Sequence, residues 1–275
     1  MTNKNKEKLE TTFIKHGFVK KKNRFFRVVG DGVIQFVVFR REPPFRSLRL
    51  SIELSTMYGQ EIEKSYSDVA VIDVAEFLGE TLLDYMDMET HERYIYEQMT
   101  YGITRIGDNL DGVELDVAFE EEILPWLDKI NTHKELSRAL IDMDIKRCGE
   151  QVWIASPKLI PYLVNGEYEA AEKVIFSHIK QYFVEDWLAT QLTEKQLENH
   201  RQNIYDPTVR IDKTKHDKWR ATPLTEEEYD EFKRRHPDKQ ERFIKIHDWL
   251  VAKDYDAINE FLAQNYKLNK RVFKK

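Results

Sequence analysis

The chain is expected to fold as α+β: a helix-backed antiparallel sheet followed by an all-helical C-terminal part with αα-hairpins. Three observations carry that expectation. Arg24 to Val29 and Val33 to Phe39 are two β-rich runs joined by Gly30-Asp31-Gly32. SLRLSIELS, from Ser47 to Ser55, alternates apolar and polar residues without exception. From Pro125 onward the apolar residues recur at helical spacing instead.

In chain order, Leu9, Phe13 and Ile14 share one helical face, and Lys15, His16 and Gly17 suit a last turn and its left-handed cap. The glycines of Gly30-Asp31-Gly32 accept positive φ without steric cost, so a hairpin follows, with Lys20 to Lys22 in the connection before it. Adjacent Phe25 and Phe26 must point to opposite faces of their strand, so at least one enters the core. The alternating run after Pro43-Pro44 reads as a half-buried strand with Leu48, Leu50, Ile52 and Leu54 inward. Val69 to Leu83 is a helix candidate, and Tyr94 to Ile106 and Val113 to Phe119 are each possible further strands. The organisation read from these patterns is an α+β domain over 1–130 and a helical domain over 131–275, with a polar loop or hinge near 199–221.

Pro125 suits the first turn of a helix carrying Trp126, Leu127 and Ile130. Tyr168, Ala171, Val174, Ile175, Ile179, Tyr182, Phe183 and Trp187 hold one stripe over about six turns. Thr193 with Gln196, and Thr225 with Glu228, have the spacing of capping boxes, and the second helix must end before Pro237. YLVNGEYEAA (Tyr162 to Ala171) returns as WLVAKDYDAI (Trp249 to Ile258) after 87 residues. Both read as the turn of a helical hairpin, two copies being too few for a repeat array.

The 275 residues carry a net charge of -6, distributed unevenly. Lys15 to Arg49 holds ten Lys/Arg against Asp31 and Glu42, whereas Leu50 to Ile130 holds four basic residues against twenty acidic ones. Neighbouring blocks of opposite sign can neutralise each other on folding, which together with a pI near 5.8 weakens a nucleic-acid reading. The acidic runs Glu120 to Glu122 and Glu226 to Glu228 are placed where helices begin, a favourable position against the helix dipole.

No run approaches the roughly 20 apolar residues of a membrane span, and no signal-peptide core is present, so a cytoplasmic protein without membrane attachment is expected. The single cysteine, Cys148, excludes an internal disulfide and agrees with a reducing compartment. The eight histidines lack metal-ligand spacing, and neither a phosphate-binding glycine loop nor a GxSxG elbow occurs. Asp142, Asp144 and Lys146 match a metal-dependent nuclease only superficially. No catalytic residue, metal or cofactor is therefore expected.

The candidate partner-binding residues are Lys20, Lys21, Lys22, Arg24 and Arg27, which suit an acidic protein surface; phosphate contacts with stacking on Phe25 or Phe26 are the alternative, and a merely solvated face is the plain structural reading. Lys233, Arg234 and Arg235 extend the nucleic-acid alternative into the C-terminal part. An enzyme whose site is assembled from distant residues is the third reading.

The opening stretch FIKHGFVKKKNRFFRVVGDGVIQFVVF, with Phe13, His16, Gly17, Phe18, Lys20 to Lys22, Asn23, Phe26, Arg27 and Gln35, resembles the start of a bacterial family known only as domain of unknown function 4304. Arg105-Ile106-Gly107 and the LPWLDKI run are similar to later elements of it, over roughly the first 130 residues. The resemblance implies a bacterial cytosolic α+β domain and supplies no reaction, cofactor or site residue. The expected function is a non-enzymatic protein-interaction protein of regulatory or neutralising type.

Overall fold

In the computed structural model, residues 3–41, 48–60, 69–101, 112–146, 155–202, 213–220, 222–235 and 241–273 are described. The chain forms two compact units, one of Met1–Lys146 with Gln264–Lys275 and one of Arg147–Ala263. The first is an α+β unit built on a five-stranded antiparallel sheet, and the second is helical throughout its described residues.

Helix α1 (Asn3–Lys15) packs Leu9 and Phe13 onto the sheet and ends at Gly17, whose φ of 81° turns the chain back. Strands β1 (Val19–Lys21), β2 (Arg24–Val29), β3 (Val33–Arg41), β4 (Leu48–Thr56) and β5 (Ala70–Asp73) lie in sequence order across the sheet. The expected hairpin is β2–β3, with Phe25 opposite Val37 and Phe26 opposite Phe36. The lysine run departs from the expected connector: Val19 to Lys21 pair with β2 as an edge strand.

Phe25, Val33, Val37, Phe39, Leu50, Ile52 and Leu54 face α1 and the helices that follow the sheet. Phe13 is the centre of an aromatic group there, its ring 4.8 Å from Phe119 and 5.2 Å from Phe25. The opposite face carries Phe26, Ile34, Phe36 and Val38 and is covered by Tyr266, Val272 and Phe273 of the chain's last segment. Phe273 sits 5.1 Å from Phe26 and 5.8 Å from Phe36. Both adjacent phenylalanines are thus core residues. Strand β4 is consequently buried on both sides, Ser51, Glu53 and Ser55 included, which corrects the half-buried reading.

Four further assignments change. Within Val69 to Leu83 the first residues form β5; Asp73 caps the short helix α2 (Val74–Leu78) through Ala75 N at 2.9 Å, and a 3-10 turn (Gly79–Tyr85) follows. Tyr94 lies in helix α3 (Met88–Tyr101) rather than in a strand, and 102–111 lie outside the described residues, as does Arg105-Ile106-Gly107. Val113 keeps only a bridge to Met86 before α4 (Leu115–Ala118) begins. A π turn (Phe119–Ile123) joins α4 to α5 (Leu124–Asp128), so Glu120 to Glu122 lie inside a continuing helix instead of ahead of one. Pro125 occupies the first turn of α5 as expected. Helix α6 (His133–Lys146) completes this core through Leu136, Ala139 and Leu140.

In the second unit, α7 (Ala155–Val164) and α8 (Tyr168–Lys180) form one hairpin, and α13 (Glu241–Ala252) opens the second, leading into α14 (Tyr255–Val272). The long stripe is α8, a 3-10 turn (Gln181–Phe183) and α9 (Val184–Gln191). Both capping boxes form: Gln196 Oε1 accepts from Thr193 N at 3.1 Å ahead of α10 (Glu194–Arg201), and Glu228 Oε2 accepts from Thr225 N at 2.9 Å ahead of α12 (Glu226–Arg235). Within the expected loop near 199–221, α10 continues to Arg201 and α11 (Lys213–Arg220) is helical, while 203–212 lie outside the described residues.

Candidate interaction surface

The five basic residues singled out by sequence do not share one face. Strand alternation sends Lys20 and Arg27 to the α1 side of the sheet and Lys21 and Arg24 to the other. Lys20 Nζ reaches Glu10 Oε2 on α1 at 2.7 Å, and Arg27 Nη2 reaches Asp128 Oδ1 at 2.5 Å. Arg27 Nε also donates to Gln35 Oε1 at 2.7 Å, and its guanidinium lies 4.8 Å from the centroid of the Phe18 ring. On the other face, Lys21 Nζ donates to Val272 O at 3.0 Å and lies 5.5 Å from the Phe273 ring centroid.

Arg24 belongs to a buried charge group. Glu53 is fully buried on β4; its Oε1 accepts from Arg40 Nη2 at 2.5 Å, and its Oε2 lies 3.5 Å from Arg24 Nη2. The carboxylate answers guanidinium groups from β3 and from β2, the strand beyond it, and a buried carboxylate is costly without such partners. Arg24 is thus directed at the buried carboxylate of Glu53. No local sequence pattern reports this, because the three residues come from three strands.

Lys22 is different. It occupies the two-residue loop between β1 and β2 at φ 57°, an uncommon conformation for a residue with a side chain, and is exposed. Val19 is 41% exposed on the edge strand, and Ile14, which sequence spacing put on one helical face with Leu9 and Phe13, is 59% exposed on α1. Lys15 is also exposed and pairs at 2.7 Å with Glu120, whose carboxyl is held below the usual range by the hydrogen bonds of Lys15 and His16. At this edge of the sheet Val19 thus points to the face away from α1, Lys20 points to the face on which α1 carries Ile14 and Lys15, and Lys22 is exposed in the loop between β1 and β2. Surface pairs such as Lys15–Glu120 and Lys20–Glu10 contribute little to stability and exchange readily for a partner's carboxylates. Lysines on a short outer strand also deter edge-to-edge aggregation, which is the structural account of the same residues.

Two buried polar groups outside this edge have structural work. His133 Nε2 lies 2.6 Å from Thr56 Oγ1, and the imidazole is held at a pKa of about 4 by burial. In the helical unit, buried Lys180 donates to Thr222 Oγ1 at 2.6 Å, with Glu228 Oε2 at 3.6 Å and the Trp219 ring at 5.4 Å. Lys233 pairs with Asp230 at 2.9 Å and Arg235 with Glu231, so the basic end of α12 is answered along its own helix. Among the described residues no group of three or more His, Cys, Asp or Glu is arranged to hold a metal ion. Asp142 is exposed on α6; the side chains of Asp144 and Lys146, and all of Cys148, lie outside what is described. No helix among the described residues is long and apolar enough to cross a membrane.

Comparison with known proteins adds no relative: no family model, no curated protein and no solved structure matches this chain.

Proposed function

We propose that this is a protein-interaction protein of regulatory or neutralising type, without catalysis of its own, and that it contacts an acidic partner through the α1–β1 edge. The observation that carries the reading is the outer strand β1, on which Val19 is 41% exposed next to the exposed Lys20 and Lys22. Apolar side chains supply the desolvation energy of such a contact, and the cations select the sign of the partner and speed its approach. Arg24, Arg27 and Lys21 support the surface from behind by fixing the sheet and its covering segments.

The test is affinity capture of the tagged protein from a lysate of its native host, with and without nuclease, using wild type and a Val19→Asp/Lys22→Glu variant. A near-stoichiometric protein retained after nuclease treatment and lost with the variant is the expected result. Retention of nucleic acid alone, with affinity falling steeply as salt rises, would transfer the basic edge to the nucleic-acid reading.

A further inference from the structure

The repeated sequence pattern becomes a structural pair. In the first hairpin Glu167 N donates to Tyr162 O at 2.9 Å and Gly166 N to Leu163 O at 3.1 Å; in the second Asp254 N donates to Trp249 O at 2.8 Å and Lys253 N to Leu250 O at 3.1 Å. These are two copies of one helix-ending turn, each with its pivotal residue at positive φ, 72° for Gly166 and 54° for Lys253. The equivalent tyrosines that follow, Tyr168 and Tyr255, stack face to face with centroids 4.2 Å apart and planes 11° from parallel. The tips of the two hairpins are thereby joined.

That junction stays open to solvent. Tyr255, at the start of α14, is 38% exposed, and Val251, near the end of α13 on the other side of the turn, is 64% exposed, two of the seven exposed large hydrophobics among the described residues. Glu169 and Asp256, which follow the two tyrosines at matching positions, are also exposed. An aromatic stack with an exposed aliphatic neighbour and carboxylates of both hairpins offers ring faces to a cation and oxygens to its N–H groups. An acidic helix start has a structural role of its own, but it accounts for neither the exposed Val251 nor the duplicated tyrosine.

We propose that the joined hairpin tips dock an extended basic segment of a protein partner, with an arginine or lysine packed against the Tyr168–Tyr255 stack. The exposed carboxylates of the two tips, Glu167, Glu169, Asp254 and Asp256, outnumber the exposed Lys253 of the second turn, and the occupant follows from charge complementarity. An acidic segment would meet Glu169 and Asp256 as like charges, and a purely apolar one would bury them unpaired. This surface is independent of the α1–β1 edge.

The test uses the full chain and an Arg-Gly-Arg-Gly-Arg peptide as probe, titrated at low salt and followed by NMR at the Val251 methyls and the Tyr255 ring. Shifts concentrated at those groups are expected, with affinity falling about tenfold in a Glu169→Lys/Asp256→Lys variant whose circular dichroism is unchanged. Val251→Ser weakens the probe without altering charge. Glu226→Lys/Glu227→Lys, an equal charge change on exposed residues of α12, leaves the affinity near wild type. Equal losses in the two charge variants, shifts spread over all acidic residues, or no binding would overturn the proposal. So would self-association abolished by Glu169→Lys/Asp256→Lys, which would make the occupant a second copy of this chain.

Discussion

Lowering the pH from 7.5 to 5.0 should weaken the α+β unit through one residue. His133 is buried against Thr56 and lies edge-on to the Tyr58 ring at 5.3 Å. Burial depresses its pKa from 6.5 to about 4, opposed only by the charge of Asp31. The folded state thus keeps His133 neutral while the unfolded chain takes up a proton near pH 6.5. Its contribution is full above 6.5 and is lost as the pH falls toward 4. A shift of that size corresponds to about 3 kcal/mol in all, of which about 2 kcal/mol is lost between pH 7.5 and 5.0. The assay is urea unfolding of wild type and His133→Gln at both pH values, where contributions of other groups cancel in the comparison. The variant should be less stable at pH 7.5, with the gap narrowing by about 2 kcal/mol at pH 5.0. A constant gap would refute the reasoning. So would an imidazole NMR titration placing folded His133 near 6.5, a readout that stands even where the variant unfolds.

Gly30→Ala should cost more than about 3 kcal/mol in urea unfolding, because a Cβ there would stand 1.8 Å from Asn131 O; Gly17→Ala, with open space at its Cβ position, should cost only about 1–2 kcal/mol for its positive φ. Gln35→Leu should cost about 2–3 kcal/mol by the same measurement, since Gln35 Nε2 donates to Leu127 O at 2.7 Å and to Ile130 O at 3.1 Å while its Oε1 holds Arg27. Lys253→Gly should raise the melting temperature, relieving about 1 kcal/mol of left-handed strain, whereas Gly166→Lys at the matching turn should lower it.

Local chemistry made much of the fold legible. Gly17 stops α1, the glycine pair turns the β2–β3 hairpin, and both capping boxes close as spaced, because each depends on residues within one turn of each other. The repeated hairpin turn was legible for the same reason. The misread segments depend on distant partners. Val69 to Leu83 begins with a short apolar run that fits helix or strand equally, and pairing with β4 decides it. The second covered face of β4 is set by Tyr266 to Phe273, about two hundred residues away in sequence. Asn269 Nδ2, donating to Met57 O at 2.9 Å and to Gly59 O at 2.7 Å, anchors that cover. The candidate site was half legible. The lysine run lies on the sheet's outer strand, but Arg24 and Arg27 turn to Glu53 and Asp128, and Ile14, which shares a helical face with Leu9 and Phe13 by spacing, is exposed.

The interaction role of the α1–β1 edge is tested most directly by placing a photo-crosslinking amino acid at Val19 or Lys22 in the native host, with the exposed Arg138 position of α6 as the comparison. The account predicts one discrete protein adduct from positions 19 and 22, resistant to nuclease, and none from 138. Adducts from all three positions alike, or none from 19 and 22, would contradict it.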